Sequence, residues 1–158
     1  MIHFYERIQG WFDFQDIYWE QVNNAKDGDI FVEVGSYKGR SAAFMAVEIL
    51  NSGKKIDFYC VDIWEDESIY QEFLKNIEPV KDLIKIQRCK STDFKIEADF
   101  VFIDAAHDFK NVNKDIKHWE PLAKVIGGHD YSRYWPGVKE AVQKNFKDFK
   151  VIGNSWLV

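Results

Sequence analysis

The sequence predicts an α/β fold in which one doubly wound, mostly parallel seven-stranded sheet carries helices on both faces. Short runs of β-branched and aromatic residues alternate along the chain with segments whose apolar residues recur every three or four positions. The short runs are apolar throughout, as in strands that are buried on both faces, and do not alternate with polar residues. Such strands in alternation with helices are typical of an open parallel sheet with helices on each side.

Seven segments are predicted to be strands, and the first shows the pattern most clearly. Residues 30–34 are a short β-branched and apolar run that stops at Gly35, as a buried strand does. The fifth predicted strand is only two residues long and runs into a pair of glycines. The six predicted strands after the first are residues 56–61, 83–86, 100–103, 125–126, 150–153 and 155–158.

Five segments with apolar residues three or four positions apart are predicted to be helices. Gly53 follows the second helix as a plausible C-cap, and Pro79 lies just beyond the third. Pro136 stands in the first turn of the last helix, where proline is tolerated. The predicted helices are residues 14–25, 39–50, 69–76, 109–119 and 136–146.

The overall composition narrows the classes of function. The 158 residues, 46% hydrophobic and 30% charged, predict one globular domain over residues 1–158, with a helical segment over residues 1–28 packed on it. The net charge of −5 argues against a nucleic-acid partner, and no apolar run approaches the roughly 20 residues of a membrane span. Cys60 and Cys89 lack metal or redox spacing and fit buried thiols in a reducing cytosol, so the predicted location is cytoplasmic.

A glycine turn follows the first predicted strand. Gly35 and Gly39 let the backbone pass close to a ligand, and the helix that follows points free N–H groups at the same place. The Gly-x-x-x-Gly spacing is neither the Gly-x-Gly-x-x-Gly of dinucleotide binding nor a phosphate loop, so a pyrophosphate ligand is disfavoured. Taken alone, such a turn is often only a tight connection.

Asp62 ends the second predicted strand, 27 residues after Gly35. An acid at this point is placed to accept hydrogen bonds from both hydroxyls of a ribose. The alternative is a solvated acid at the end of a strand. The acid and the glycine turn together indicate a nucleoside-binding site.

Two acids and a histidine follow the fourth and fifth predicted strands. If these strands are neighbours, Asp104 and Asp130 lie about one strand spacing, near 5 Å, apart. Two carboxylates at that distance repel each other unless a cation or a proton lies between them. His107, one turn away, can titrate near neutral pH, as a general base must. We predict a shared site, with either a divalent cation or a hydrogen bond from His107 or Tyr131 relieving the repulsion.

These residues together resemble the class I S-adenosylmethionine-dependent methyltransferases, in a small bacterial and phage-type branch related to the catechol-type O-methyltransferases. Residues 33–41 look like the family's first motif, and Asp62 stands where the family places its ribose acid. Residues 102–131 are similar to a common bacterial pattern, Ile-Asp-x-x-His followed by Gly-His-Asp-Tyr. The likeness extends over nearly the whole chain from Gly10 onward.

The resemblance implies a Rossmann-like fold and S-adenosylmethionine as the cofactor. The methionine end of the cofactor would meet six residues of the first motif, which are Glu33, Gly35, Ser36, Tyr37, Gly39 and Ser41. Asp62 would hold the ribose, Ile63 would flank the adenine, and Ser91 would contact the adenine side. Asp104 would also border the cofactor.

The resemblance further implies a catalytic set of His107, Asp104 and Asp130. His107 occupies the position of the catalytic Lys of catechol-type enzymes, and the two acids match the carboxylates of their metal site. Tyr131 replaces the Asn that completes that site, and a neutral phenol is a poor Mg²⁺ ligand, so the role of Mg²⁺ stays open. The usual Pro-Gly-Gly turn is missing before Val125, which indicates a shortened entry to the fifth strand.

The expected reaction is methylation of a hydroxyl on a small molecule, because deprotonating a hydroxyl gives a base or a cation a task. The sequence does not identify the acceptor. Two alternatives remain, a catalytically inactive cofactor-binding or assembly protein and a nucleotide-binding Rossmann enzyme. The aromatic segment from Phe4 to Trp19 has three open interpretations, in which it covers the sheet, gates the site or forms a homodimer contact.

Overall fold

A computed structural model describes all 158 residues and contains seven strands and five α-helices. The strands are β1 (Ile30–Val34), β2 (Asp57–Asp62), β3 (Ile84–Arg88), β4 (Ala98–Ile103), β5 (Ala123–Gly128), β6 (Lys150–Ile152) and β7 (Ser155–Leu157). The helices are α1 (Gln15–Asn24), α2 (Arg40–Ser52), α3 (Glu67–Ile77), α4 (Phe109–Trp119) and α5 (Pro136–Asn145). Short 3-10 turns lie at Tyr5–Arg7, Glu78–Leu83, Ser91–Asp93 and Glu120–Leu122.

The strands form one sheet in the order β3-β2-β1-β4-β5-β7-β6. The first five strands are parallel, and β7 is antiparallel to both of its neighbours. The predicted fold class is therefore confirmed. The strand order reverses between β1 and β4, and ligands of such sheets bind beyond the carboxyl ends of the strands at this point.

Strand β5 is longer than predicted. It begins at Ala123 and includes Gly127 and Gly128, which pair with β7. A Cβ atom on Gly128 would lie 2.5 Å from the carbonyl oxygen of Ile103 and 2.8 Å from Nε1 of Trp156, so no side chain fits there. The prediction of a two-residue strand was wrong, because these glycines make room for β7 instead of ending the strand.

Each face of the sheet has its own core. On one face, α1, α2 and α3 pack over a cluster that includes Tyr18, Phe58 and Phe102. On the other face, α4 and α5 bury Trp119 together with Trp156 from β7. No helix of the structure is long and apolar enough to cross a membrane.

The N-terminal segment packs on the first of these faces. Phe12 and Phe14 are buried against α2 and the sheet, with the Phe12 and Phe44 rings 5.1 Å apart. Residues 9–11, which lie between the short turn at Tyr5–Arg7 and these two phenylalanines, pass the carboxyl edge of the sheet. The segment thus covers the sheet and also borders the site described next.

Candidate active site

Two cavities lie at the carboxyl edge of the sheet and meet at a common wall. The first, of about 640 Å³, lies between the N-terminal segment, the start of α2 and the ends of β4 and β5. The second, of about 620 Å³, lies between the ends of β1 and β2 and helix α4. Both are lined by Gly35, Tyr37, Asp104 and Ala105, so one elongated ligand can extend from one cavity into the other.

Gly35 allows the close approach of strands at this junction. Its φ of 91° lies in the left-handed region that favours glycine, and a Cβ atom there would overlap the carbonyl oxygen of Asp104. The amide of Gly35 donates to Val61, and that of Asp104 donates to Val34, which ties the ends of β1, β2 and β4 together. The junction is therefore a rigid feature of the sheet edge.

Two buried polar atoms near the first cavity lack hydrogen-bond partners. Ser36 is 2% exposed, and its hydroxyl, in a residue of the cavity wall, has no partner. Glu33 is buried and accepts a hydrogen bond from the Tyr18 hydroxyl at 2.7 Å, while its Oε1 atom is also unpartnered. Burial raises the pKa of Glu33 to about 7. The Ser36 hydroxyl is enclosed by the protein, next to the buried carboxyl group of Glu33.

Asp62 is held in place at the wall of the second cavity. One carboxylate oxygen accepts the amide of Tyr37 at 2.9 Å, and the other accepts the amide of Trp64 at 3.0 Å. The indole of Trp64 in turn donates to the carbonyl of Tyr37 at 2.7 Å. Each oxygen of a carboxylate can accept more than one hydrogen bond, so Asp62 retains the capacity to bind two hydroxyls.

The far wall of the second cavity comes from the turn after β3 and from α4. The hydroxyl of Ser91 accepts the indole N–H of Trp119 at 2.8 Å, which fixes its orientation. Asp115 lies on the inner side of α4, and burial raises its pKa. Lys114 of α4 also lines this cavity. The sequence feature that could have identified Asp115 is an acidic residue next to the apolar positions of an amphipathic helix.

Asp104, His107 and Asp130 lie together at the wall of the first cavity, as predicted. One ligand atom from each lies within 4.8 Å of the others. Nε2 of His107 is 2.7 Å from Oδ2 of Asp130, and the imidazole stacks on Trp135 with the ring centroids 4.1 Å apart. The histidine is thus restrained on two sides and still partly exposed to the cavity.

His129 is the site residue that sequence reasoning missed. Its Nδ1 atom lies 3.6 Å from Asp104 and 3.5 Å from Asp130, and its Nε2 atom lies 2.7 Å from Asp13 of the N-terminal segment. Burial acts to lower the pKa of His129, but the hydrogen bonds and charges of Asp104 and Asp130 outweigh it and raise the pKa to about 10. A positive imidazole therefore lies beside both carboxylates. The sequence feature that could have identified His129 is the His-Asp pair directly after Gly127 and Gly128.

The predicted alternative partner, Tyr131, does not take part in this cluster. Its hydroxyl accepts a hydrogen bond from Gln143 at 3.0 Å, and its ring packs against Phe149 at 5.4 Å. Asp130 just before it has a φ of 62°, a left-handed conformation that is uncommon outside glycine. Of the two residues predicted to hydrogen-bond to the acids, His107 contacts Asp130 and Tyr131 contacts neither acid.

Most of the residues predicted to bind the cofactor line one of the two cavities. Those in the first cavity are Gly35, Ser36, Tyr37, Ser41 and Asp104, and those in the second are Gly35, Tyr37, Asp62, Ile63, Ser91 and Asp104. Two predicted contacts need correction. Glu33 lies in the protein interior and Gly39 faces Phe73 and Ile77, so neither lines a cavity.

The outer wall of the first cavity includes residues that no local pattern singled out. Trp11 and Tyr134 are 89% and 71% exposed, and with Trp135 they give this wall a largely aromatic surface. Further lining residues from the N-terminal segment, the glycine turn and α2 are Gln9, Gly10, Asp13, Lys38 and Arg40. These residues come from distant parts of the chain, and the fold brings them to one edge.

Comparison with known protein families gives one match that covers most of the domain. A family model described as a methyltransferase domain matches residues 32–131, which is more than half of the chain. This range contains the glycine turn, Asp62, Asp104, His107 and Asp130. In the curated proteins, no sequence matches this chain.

Solved structures of methyltransferases share the fold. A proposed caffeoyl-CoA O-methyltransferase from Staphylococcus aureus has a TM-score of 0.70 at 16% identity, covering 96% of this chain and 85% of that chain. An S-adenosylmethionine-dependent O-methyltransferase from Thermotoga maritima has a TM-score of 0.67 at 12% identity, covering 94% of this chain and 65% of that one. A proposed rRNA methylase from Clostridium thermocellum has a TM-score of 0.67 at 12% identity, covering 94% of this chain and 96% of that one.

Proposed function

Because this chain belongs to the class I S-adenosylmethionine-dependent methyltransferases, we propose that it methylates a hydroxyl oxygen of a small-molecule acceptor in the first cavity. The observation that carries the proposal is the His107–Asp130 pair at 2.7 Å, in the wall of that cavity and next to its junction with the second. A restrained histidine beside a methyl-donor site has the chemistry to remove a proton from an acceptor. A hydroxyl needs such a base, whereas a neutral amine does not.

The two cavities fit the two halves of the cofactor. Asp62, with both oxygens still able to accept hydroxyls, and the fixed Ser91 would bind the adenosine half in the second cavity. Ser36 and Ser41, which line the first cavity where the glycine turn enters α2, would bind the methionine half there. When bound, the cofactor supplies an electrophilic methyl group, and the protein supplies alignment and deprotonation.

His107 would act as the general base. A hydrogen bond donated from its Nε2 atom to Asp130 selects the tautomer in which Nδ1 is free to accept a proton. The negative charge of Asp130 stabilises the imidazolium that forms after the proton transfer, and the stack on Trp135 limits rotation of the ring. His107 would thus hold the acceptor's proton while the oxygen attacks the methyl group.

The residues present do not fit the metal site of the catechol-type enzymes. Tyr131 occupies the position of the third ligand, and its hydroxyl is bonded to Gln143. Asp104 and Asp130 already flank the buried ring of His129. A divalent cation between them would have to approach this imidazole and displace the bond from His107. We therefore propose that the reaction needs no Mg²⁺.

A small molecule suits the first cavity better than a nucleic acid does. Its wall carries the carboxylates of Asp13, Asp104 and Asp130, and one of its few basic residues, Lys38, is already paired with Glu72 at 2.8 Å. Nucleic-acid sites need basic side chains that face the phosphates, and the net charge of this chain is −5. The neighbour described as an rRNA methylase makes RNA the acceptor class to test against.

The test uses S-adenosylmethionine labelled on its methyl group. The chain is incubated, with and without EDTA, with a panel of phenols and aliphatic alcohols and separately with ribosomal RNA. We expect label in the organic-soluble fraction, with equal yield in EDTA and loss in His107→Asn. Label in acid-precipitated RNA alone would overturn the small-molecule proposal. Binding of S-adenosylmethionine without formation of S-adenosylhomocysteine from any acceptor would instead support the inactive cofactor-binding alternative.

A further inference from the structure

Arg40 is a cation of the first cavity that no carboxylate neutralises. It is the first residue of α2, and its guanidinium donates a hydrogen bond to the carbonyl oxygen of Gly10 at 2.7 Å. Its Nε atom is buried and has no hydrogen-bond partner. The other long basic side chain of this cavity, Lys38, is paired with Glu72 and bonded to Gln9. Arg40 thus has hydrogen-bonding capacity that the protein leaves unused.

The position of Arg40 is unfavourable for the helix itself. The amino-terminal end of a helix carries partial positive charge, so a cation in the first turn is unfavourable for the helix. Helix α2 runs for 13 residues, and its N-cap, Gly39, has no side chain to accept the free backbone N–H groups. An anion at this place would pair with the guanidinium and accept from the free N–H groups at the same time.

The charges of the cavity point to the same arrangement. Its three carboxylates, Asp13, Asp104 and Asp130, lie on the N-terminal segment and at the ends of β4 and β5, around His129. Arg40 lies on the side formed by α2. The methionine moiety of the cofactor is a zwitterion, with an ammonium group and a carboxylate. A cavity that is acidic on one side and has an unpaired guanidinium on the other can pair with both.

We propose that Arg40 binds the carboxylate of the cofactor's methionine moiety. Gly10, through its carbonyl oxygen, holds the guanidinium in position, which makes the N-terminal segment a part of the cofactor site. The methyltransferase resemblance assigns no role to Arg40, which is the variable residue between Gly39 and Ser41 of the first motif. This inference rests on the proposed location of the cofactor, and it adds the anchor for one end of it.

The test compares two ligands that differ only in that carboxylate. Calorimetric titrations use S-adenosylhomocysteine and its decarboxylated analogue, with the wild-type chain and with Arg40→Gln. Arg40→Gln should bind S-adenosylhomocysteine about tenfold to hundredfold more weakly, because the complex loses a charged hydrogen bond. The decarboxylated analogue should bind the wild type and Arg40→Gln equally, to within about twofold. Arg7→Gln, which removes an exposed cation of the N-terminal segment outside both cavities, is the control and should leave both affinities unchanged.

The outcomes separate this inference from the function on which it rests. An equal loss of affinity for both ligands would show that Arg40 acts through the fold, and would overturn the carboxylate assignment. Unchanged binding of S-adenosylhomocysteine to Arg40→Gln would overturn it as well. If the wild-type chain bound neither ligand, the cofactor site itself would be wrong. Thermal unfolding of Arg40→Gln without ligand shows whether the variant is folded.

Discussion

Nε2 of His107 lies 2.7 Å from Oδ2 of Asp130, which joins the loop after β4 to the end of β5. The two residues follow the neighbouring parallel strands β4 and β5, so the sheet brings both to the same edge. The pairing gives the histidine a fixed tautomer and the carboxylate a partner. Under the proposed function, this pair is the proton acceptor at the carboxyl edge of the sheet.

His107→Asn should abolish most of the turnover and leave cofactor binding intact. General-base catalysis typically contributes about 10²–10⁴-fold, and the asparagine cannot take up a proton. The measurements are the rate of S-adenosylhomocysteine formation with an active acceptor and the affinity for S-adenosylhomocysteine. His3→Asn is the matched control, since His3 also pairs with a carboxylate, Glu48 at 2.6 Å, outside the two cavities. A variant rate within threefold of the wild type would rule out His107 as the base.

Asp62→Ala should weaken cofactor binding about tenfold to hundredfold, because it removes a charged acceptor for two ribose hydroxyls. Asp62 also accepts the amides of Tyr37 and Trp64, so thermal unfolding must show that the variant remains folded. Asp62→Asn, which keeps one acceptor oxygen, should show a smaller loss. An unchanged dissociation constant for S-adenosylhomocysteine in Asp62→Ala would mean that the carboxylate does not contact the ligand.

His129→Gln should create affinity for a divalent cation that the wild-type chain lacks. Without the imidazole of His129, the only basic group left beside the carboxylates of Asp104 and Asp130 is His107, which contacts Asp130 alone. A divalent cation then relieves their repulsion and gains oxygen ligands. Mn²⁺ binding is measured by the loss of the free-ion signal in electron paramagnetic resonance. Equal Mn²⁺ binding by wild type and variant would contradict the role given to His129.

Glu33→Gln should change how stability depends on pH. Burial raises the pKa of Glu33 from its ordinary 4.5 to about 7, so between these values the folded chain binds more protons than the unfolded chain. The free energy of unfolding therefore falls as the pH rises through this window. At about 1.4 kcal/mol for each pKa unit, the wild type should lose about 3 kcal/mol of unfolding free energy relative to the variant between pH 4.5 and 7.

Urea unfolding at pH 5 and pH 8 measures this difference. Glu20→Gln, on the exposed side of α1, is the control and should follow the wild-type curve. Parallel pH curves for Glu33→Gln and the wild type would show that the carboxylate is not destabilised by its burial.

The sequence predicted the features that depend on neighbouring residues. The glycine turn, the ends of β1 and β4 and the helix α4 all have local signatures, and the parallel order of the sheet follows from their alternation. The closeness of Asp104 and Asp130 was also predicted, since both follow strands that the fold pairs. Local patterns and strand adjacency were sufficient for these.

Features set by distant parts of the chain were missed. Gly128 looked like the end of a strand because its purpose, room for Trp156, depends on a hairpin near the carboxyl terminus. His129 received no role because its partner Asp13 is 116 positions away. Tyr131 was placed at the site, but the left-handed backbone of Asp130 precedes it and its side chain packs toward α5. None of these relationships has a signature within a short window of sequence.

Isothermal titration calorimetry of the wild-type chain with S-adenosylhomocysteine and with NAD tests most directly whether the two joined cavities form a methyl-donor site. We expect micromolar affinity for S-adenosylhomocysteine, because Asp62 can accept the ribose hydroxyls and the first cavity provides polar groups for the amino-acid end. NAD should bind far more weakly, since the turn at Gly35 lacks the glycine spacing that accommodates a pyrophosphate. Tighter binding of NAD than of S-adenosylhomocysteine would contradict the methyl-donor site.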